Sequence, residues 1–179
     1  MPRTSADTVK PLKNLAWNGG LDDGRLVILD QTRLPETVRY LPLRDLEGVI
    51  TAIVEKNVSG ASTIGVAGAY GVVLHLIPRA TAAAGKGSTI LGKHLDHAIK
   101  LLTAIPSAPA NLGADLVRQR ACFKRHIGHL TALEMCARLL MEAKRIHRED
   151  EELSARTLAK PAAKKPVAKK ATAKIIKKK

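Results

Sequence analysis

Apolar residues at the front of the chain come in short extended runs separated by turn formers. Residues 15–17 and 25–29 flank Asn18-Gly19-Gly20 and Asp22-Asp23-Gly24, clusters suited to tight turns between strands. A third extended piece, 38–41, follows Pro35. The pattern predicts a small antiparallel sheet of two or three strands. From Leu43 the period changes. Leu46, Val49, Ile50, Ile53 and Val54 recur at i, i+3, i+4, i+7 and i+8, the stripe of an amphipathic helix. Asn57-Val58-Ser59-Gly60 ends it, with Gly60 suited to a left-handed exit.

Residues 63–77 are apolar on all sides and carry Gly65, Gly68 and Gly71 three apart. Each glycine costs a helix about 1 kcal/mol against alanine, yet on one face such residues admit a second backbone. The segment therefore reads as a buried helix. Residues 80–88 read as a loop, and Leu91, Leu95, Ala98 and Leu102 mark another helix, stopped by Pro106 and Pro109. Asn111 is placed to cap a helix over 112–126. Leu130, Leu133, Ala137, Leu140 and Met141 then mark a long last helix with Glu142, Arg145, Arg148 and Glu149 outward, fraying near Ser154. The expected fold is mainly α: a helical bundle preceded by a small antiparallel β-sheet.

Charge divides the chain. Thirty Lys and Arg face 16 Asp and Glu, for a net +14 over 179 residues. Nine of the lysines (Lys160, Lys164, Lys165, Lys169, Lys170, Lys174, Lys177, Lys178 and Lys179) fall in the last 21 residues, where no acid occurs. The remaining body is only mildly basic. The sequence thus divides into a flexible N-terminus at 1–14, a folded domain at 15–158 and a tail at 159–179. Lys/Ala/Pro composition cannot bury a core, so the tail is expected to be disordered. It suits nonspecific, salt-sensitive association with nucleic acid, or serves as a solubilising extension. With one Trp, two Tyr and one Phe, the chain lacks the aromatic platforms of single-strand binders. Two cysteines point to a reducing compartment, and so to the cytoplasm. No run of ~18 consecutive apolar residues and no signal peptide is evident, so no membrane partner is expected.

Candidate chemistry is sparse. Gly85-Lys86-Gly87-Ser88-Thr89 looks phosphate-binding, but a Walker loop needs Gly four residues before Gly-Lys-Ser/Thr, so it reads as a flexible loop. Cys122, His126 and His129 share a helical face and admit a zinc or Cys–His reading. The surrounding Arg118, Arg120, Lys124 and Arg125 oppose a cation, and a plain helical face accounts for the spacing. His94 and His97, beside Asp96, read the same way. No metal site is expected. Asp30 reads as a strand-end turn residue. Ser59-Gly60-Ala61, just ahead of a helix, offers backbone N–H groups to an anion, or is simply a helix entry.

Three stretches together carry a resemblance. They are Leu26-Val27-Ile28-Leu29-Asp30-Gln31-Thr32-Arg33-Leu34-Pro35 after Trp17, Ser59-Gly60-Ala61-Ser62-Thr63-Ile64-Gly65-Val66-Ala67-Gly68-Ala69-Tyr70-Gly71, and 105–112 with its Ile105-Pro106-Ser107-Ala108 and Asn111-Leu112. In this order they resemble the N-terminal domain of the methylthioribose-1-phosphate isomerases, relatives of the regulatory subunits of the translation-initiation guanine-nucleotide exchange factor. The likeness spans roughly 15–155, including the last helix around Glu142 to Asp150.

The resemblance implies an aldose–ketose isomerase of methionine salvage, working without a cofactor on a phosphorylated sugar, in a family that usually forms dimers. It carries substrate binding onto Ser59, Gly60, Ala61 and Ile105. At Ser59 and Ile105 the family has arginine, whose planar fork neither Ser nor Ile can imitate. The family's catalytic Cys and Asp belong to a second domain, whose Thr-x-Cys-Asn-x-Gly stretch does not occur here. No residue of this chain is therefore assigned as catalytic. The expectation is a truncated, divergent homologue that needs a partner chain supplying the catalytic domain. The alternative is a non-enzymatic binding protein that uses its tail.

Overall fold

The computed structural model describes residues 13–106 and 108–159. The structure opens with strands β1 (Leu15–Asn18), β2 (Arg25–Leu29) and β3 (Tyr40–Leu43), an antiparallel sheet in the order β1-β2-β3. Asn14 belongs to this sheet region rather than to a loose end, since its carbonyl accepts the Leu29 amide at 2.8 Å. The third strand begins two residues later than the periodicity predicts. Its register sets Leu41 opposite Ile28 and Leu43 opposite Leu26, which puts both leucines on the face that buries Leu26 and Ile28. Tertiary packing of cross-strand apolar pairs decides the register. Pro42 is tolerated because β3 is an edge strand.

Five helices follow: α1 (Leu46–Val54), α2 (Ala61–Ala82), α3 (Gly92–Thr103), α4 (Ala110–His126) and α5 (Ala132–Ala159). Asp45 caps α1, accepting the Gly48 amide at 2.7 Å. The chain leaves α1 through Lys56, at φ 61°, and not through Gly60. Gly60, at φ 90°, is instead the entry residue of α2. Both positions need positive φ, and the left-handed one falls to Lys56, whose amide closes the turn on Ile53.

The middle of the molecule is α2, packed against the other four helices and the sheet. Its Val66, Ala69, Val72, Val73 and Leu76 are almost fully buried. The helix continues through Pro78 to Ala82, past the expected end at 77. Proline removes one N–H bond near the end of a helix already held by its packing. By length and composition α2 is apolar enough to cross a membrane, but 67% of that window is buried within the fold. This is a core helix.

The three glycines of α2 serve two neighbours. A side chain at Gly65 or Gly68 would collide with Asp115 or Leu112 of α4, whereas one at Gly71 would press on Leu46 and Val49 of α1. A step of three residues turns a helix by about 300°, so the glycines spiral across α2 instead of forming one face.

The segment after α2 is pinned. Lys86 accepts the Ala132 amide at 3.0 Å, the Ser88 amide reaches Leu130 at 2.9 Å, and Ser88 is wholly buried. A short 3-10 turn, Ser88–Leu91, then leads into α3, whose Leu95, Ala98 and Leu102 are buried as their spacing predicts. The residue that caps α4 is Pro109, with no side-chain bond, and Asn111 lies inside the helix. Proline's fixed φ suits a helix start, where its missing N–H costs nothing. Thr131 and Glu134 form a capping box for α5, with Thr131 N to Glu134 Oε2 at 2.8 Å and Glu134 N to Thr131 Oγ1 at 3.3 Å. The helix runs beyond Ser154 to Ala159, carrying Glu152 and Arg156 one turn apart.

Candidate functional site

The turn Ser59-Gly60-Ala61 is exposed at the N-terminus of α2. Two of the three motif stretches meet there. Asp30, 3% exposed, ends β2, and its Oδ1 accepts the Thr32 hydroxyl at 2.6 Å, the Thr32 amide at 3.1 Å and Asn57 Nδ2 at 3.1 Å. The Gln31 amide donates to the Asn57 carbonyl at 3.0 Å. One residue pair further, the Ser59 hydroxyl donates to the Gln31 side-chain carbonyl. The Thr32 hydroxyl, followed by Asn57 and the Thr32 amide, holds the Asp30 carboxyl below the usual range against the opposing cost of burial. Asp30 is the strand-end turn residue its context predicts. It also anchors the 57–60 turn.

The first two turns of α2 meet acids on their other sides. The Ser62 hydroxyl donates to Asp150 Oδ1 of α5. Asp115 of α4 lies against Gly65, and the Asn111 carbonyl is also within contact of that glycine. Burial pushes both Asp115 and Asp150 up from ordinary carboxylate values, with Arg118 pulling Asp115 the other way. Arg118 itself is committed to Glu142 at 3.1 Å and Glu149 at 2.6 Å. The α2 entry thus faces two carboxylates. A phosphate there would gain the helix N-terminus but would meet like charge.

Ile105 lies in a different setting. It is 8% exposed and part of the hydrophobic core, with its amide on Leu102 and its carbonyl accepting from Ala108. Ser107, in the same motif, lies outside the described residues, as do all nine lysines of the tail.

The other sequence candidates resolve as structure. His126 Nδ1 sits 2.9 Å from the Cys122 carbonyl, an i, i−4 contact at the end of α4. Burial pushes the Cys122 thiol up and carries Cys136 to about 12, so neither is poised as a thiolate. His94 accepts Arg79 Nε at 3.1 Å, and Arg79 also donates to the His75 carbonyl at 2.5 Å. His75 completes a group with His94 and His97, at ring-centroid distances of 6.5 and 5.8 Å. Burial, then Arg79, His97 and His94, brings His75 down to about 4. A guanidinium among imidazoles opposes a bound cation, and among the described residues no group of three His, Cys, Asp or Glu could hold a metal.

Comparison with known proteins agrees with this architecture. The 5-deoxyribose 1-phosphate isomerase of Bacillus anthracis is 39% identical over 132 residues, covering 74% of this chain and 37% of its own length. The methylthioribose-1-phosphate isomerase of Desulforudis audaxviator is 37% identical over 146 residues, covering 82% of this chain and 39% of its own. The chain belongs to the methylthioribose-1-phosphate isomerase family. It spans about two fifths of the length of these relatives. No family model matches it.

Two solved structures share the fold of this isomerase-family domain. The translation initiation factor eIF-2B, subunit delta, from A. fulgidus matches with a TM-score of 0.64 at 29% identity, over 79% of this chain and 38% of that one. The 5-methylthioribose 1-phosphate isomerase of Pyrococcus horikoshii OT3 matches at 0.65 and 21%, over 78% and 37%. Asp115, Asp150 and Asn57 escape sequence reasoning because nothing local marks them. Asp150 is 88 positions from the Ser62 it meets.

Proposed function

We propose that this stretch is a divergent member of the isomerase family whose own residues do not by themselves isomerise a ribose 1-phosphate. Its relatives are named for 5-deoxyribose 1-phosphate and methylthioribose-1-phosphate, so the substrate class is a ribose 1-phosphate altered at C5, and methionine salvage is the corresponding pathway. The observation that carries the reading is the α2 entry. Ser59 and Ser62 are spent on Gln31 and Asp150, and Asp115 adds a second carboxylate. At the other carried-over position Ile105 offers only a buried aliphatic chain. Assembly as a homodimer or heteromer and a cytoplasmic location accompany the reading, the latter supported by two unpaired cysteines.

Thermal unfolding in millimolar methylthioribose 1-phosphate tests it. A ligand at 100 times its Kd would stabilise the fold by about 2.7 kcal/mol. The expected shift in Tm is nil, and a clear concentration-dependent rise would overturn the reading.

Nine lysines without an acid in the last 21 residues favour a second role, nonspecific association with nucleic acid. Counterion release would make that binding fall steeply with salt. A gel shift over a salt series is expected to lose the complex when those lysines are replaced by serine, and unchanged binding would defeat this role.

A further inference from the structure

The described body carries a basic surface of its own, at the end of the bundle where α4 turns into α5. From Leu116 to Leu133 the chain holds Arg118, Arg120, Lys124, Arg125, His126 and His129 and not one acid. Arg118 and Arg120 are engaged by Glu142, Glu149 and Asp96. Lys124 and Arg125, in the last turn of α4, are exposed and make no ion pair among the described residues. Arg138, exposed on the second turn of α5, joins them from the other helix. Cys122 lies between the two helices at this meeting, its thiol within electrostatic reach of Glu142, which Arg118 and Arg145 engage, and of Arg125 and Arg138. The acid one turn before Arg138, Glu134, is held by the Thr131 amide and hydroxyl, each at 2.8 Å.

We propose that Lys124, Arg125 and Arg138 form a second phosphate-contact surface for double-stranded nucleic acid, separate from the lysine tail. The proposal rests on the nucleic-acid role suggested above. Its geometry is that of two separate contacts. Arg138 lies 21 residues before the end of α5, about 32 Å along a helix rising 1.5 Å per residue. The acidic run Glu149-Asp150-Glu151-Glu152 stands between, so a duplex is held at the bundle end and by the tail, not along the helix. A duplex presents one charge per about 1.7 Å, which makes simultaneous contact at both places possible. An anionic lipid surface fits less well. Interfacial binding draws on aromatic anchors, but Phe123 is buried beneath this patch and Trp17 is stacked on Tyr70.

The test titrates the full chain against a fluorescent 30-base-pair duplex between 50 and 200 mM salt. One variant carries Lys124→Ser, Arg125→Ser and Arg138→Ser, and another carries Lys177→Ser, Lys178→Ser and Lys179→Ser. Each lost phosphate contact lowers the slope of log K against log salt by about 0.9. The bundle-end variant is thus expected to lose about 2.7 from the slope, roughly a fortyfold smaller loss of affinity across that salt range. Arg125→Lys with Arg138→Lys keeps the charges and is expected to keep the wild-type slope. Circular dichroism verifies that each variant is folded. An unchanged slope for the bundle-end variant, with a reduced one for the tail variant, would overturn this inference and leave the tail role standing. No duplex binding by the wild type would overturn both. Loss of binding to phosphatidylserine vesicles but not to duplex would also overturn it, assigning the patch to lipid.

Discussion

Gly65 shows how one missing side chain sets the approach of two helices. A Cβ there would collide with Asp115 and lie 3.2 Å from the Asn111 carbonyl, which is backbone and cannot swing away. Gly65→Ala is therefore expected to destabilise the fold by about 1–3 kcal/mol, the usual cost of overpacking. Gly113, inside α4, has nothing within 4 Å of its would-be Cβ, so Gly113→Ala should gain up to about 1 kcal/mol from helix propensity. Urea unfolding of the two variants separates a packing glycine from an incidental one. His75 supplies the pH dependence. Its folded value of about 4 lies below its ordinary 6.5, so the unfolded chain binds the extra proton between them. Its contribution is complete above about 6.5 and is lost as pH falls towards 4. The Tm of His75→Leu is expected to fall less than that of wild type over this window, since the substitution also removes the buried, unpartnered Nε2.

Among the elements, α2 is held to α4 and α5 by apolar packing and by Gln119. This side chain is fully buried, donating to the Leu139 carbonyl at 3.1 Å and reaching Ala69 at 3.5 Å, while its Oε1 has no partner. Gln119→Met keeps the volume and removes the orphan oxygen, so its stability should stay within about 1.5 kcal/mol of wild type. Gln119→Ala leaves a cavity where three helices meet and should cost about 2–4 kcal/mol by the same measurement. Element identity was legible because amphipathic stripes such as Leu95, Ala98 and Leu102 depend only on spacing. Element ends were not. Lys56 takes a left-handed conformation that Gly60 suits better locally, and Pro78 stays helical because α2 is packed on every side. The 80–88 segment is pinned by partners some 45 positions away, which no local pattern reveals.

At the scale of the whole molecule, the family was legible because its motifs are contiguous and ordered along the chain. The chemistry of the α2 entry was legible only in part. Ser59 in place of arginine can be read directly, but the carboxylates of Asp115 and Asp150 reach that turn through the packing of α4 and α5 on α2. In the proposed reading they make the α2 entry of this isomerase-family domain unfavourable to a bound anion. Turnover decides whether that description is right. Purified chain, incubated with methylthioribose 1-phosphate and separately with 5-deoxyribose 1-phosphate, is followed by NMR for the ketose product. The account predicts no conversion above the enzyme-free rate for either sugar. Catalytic conversion of either one by this chain alone would contradict it.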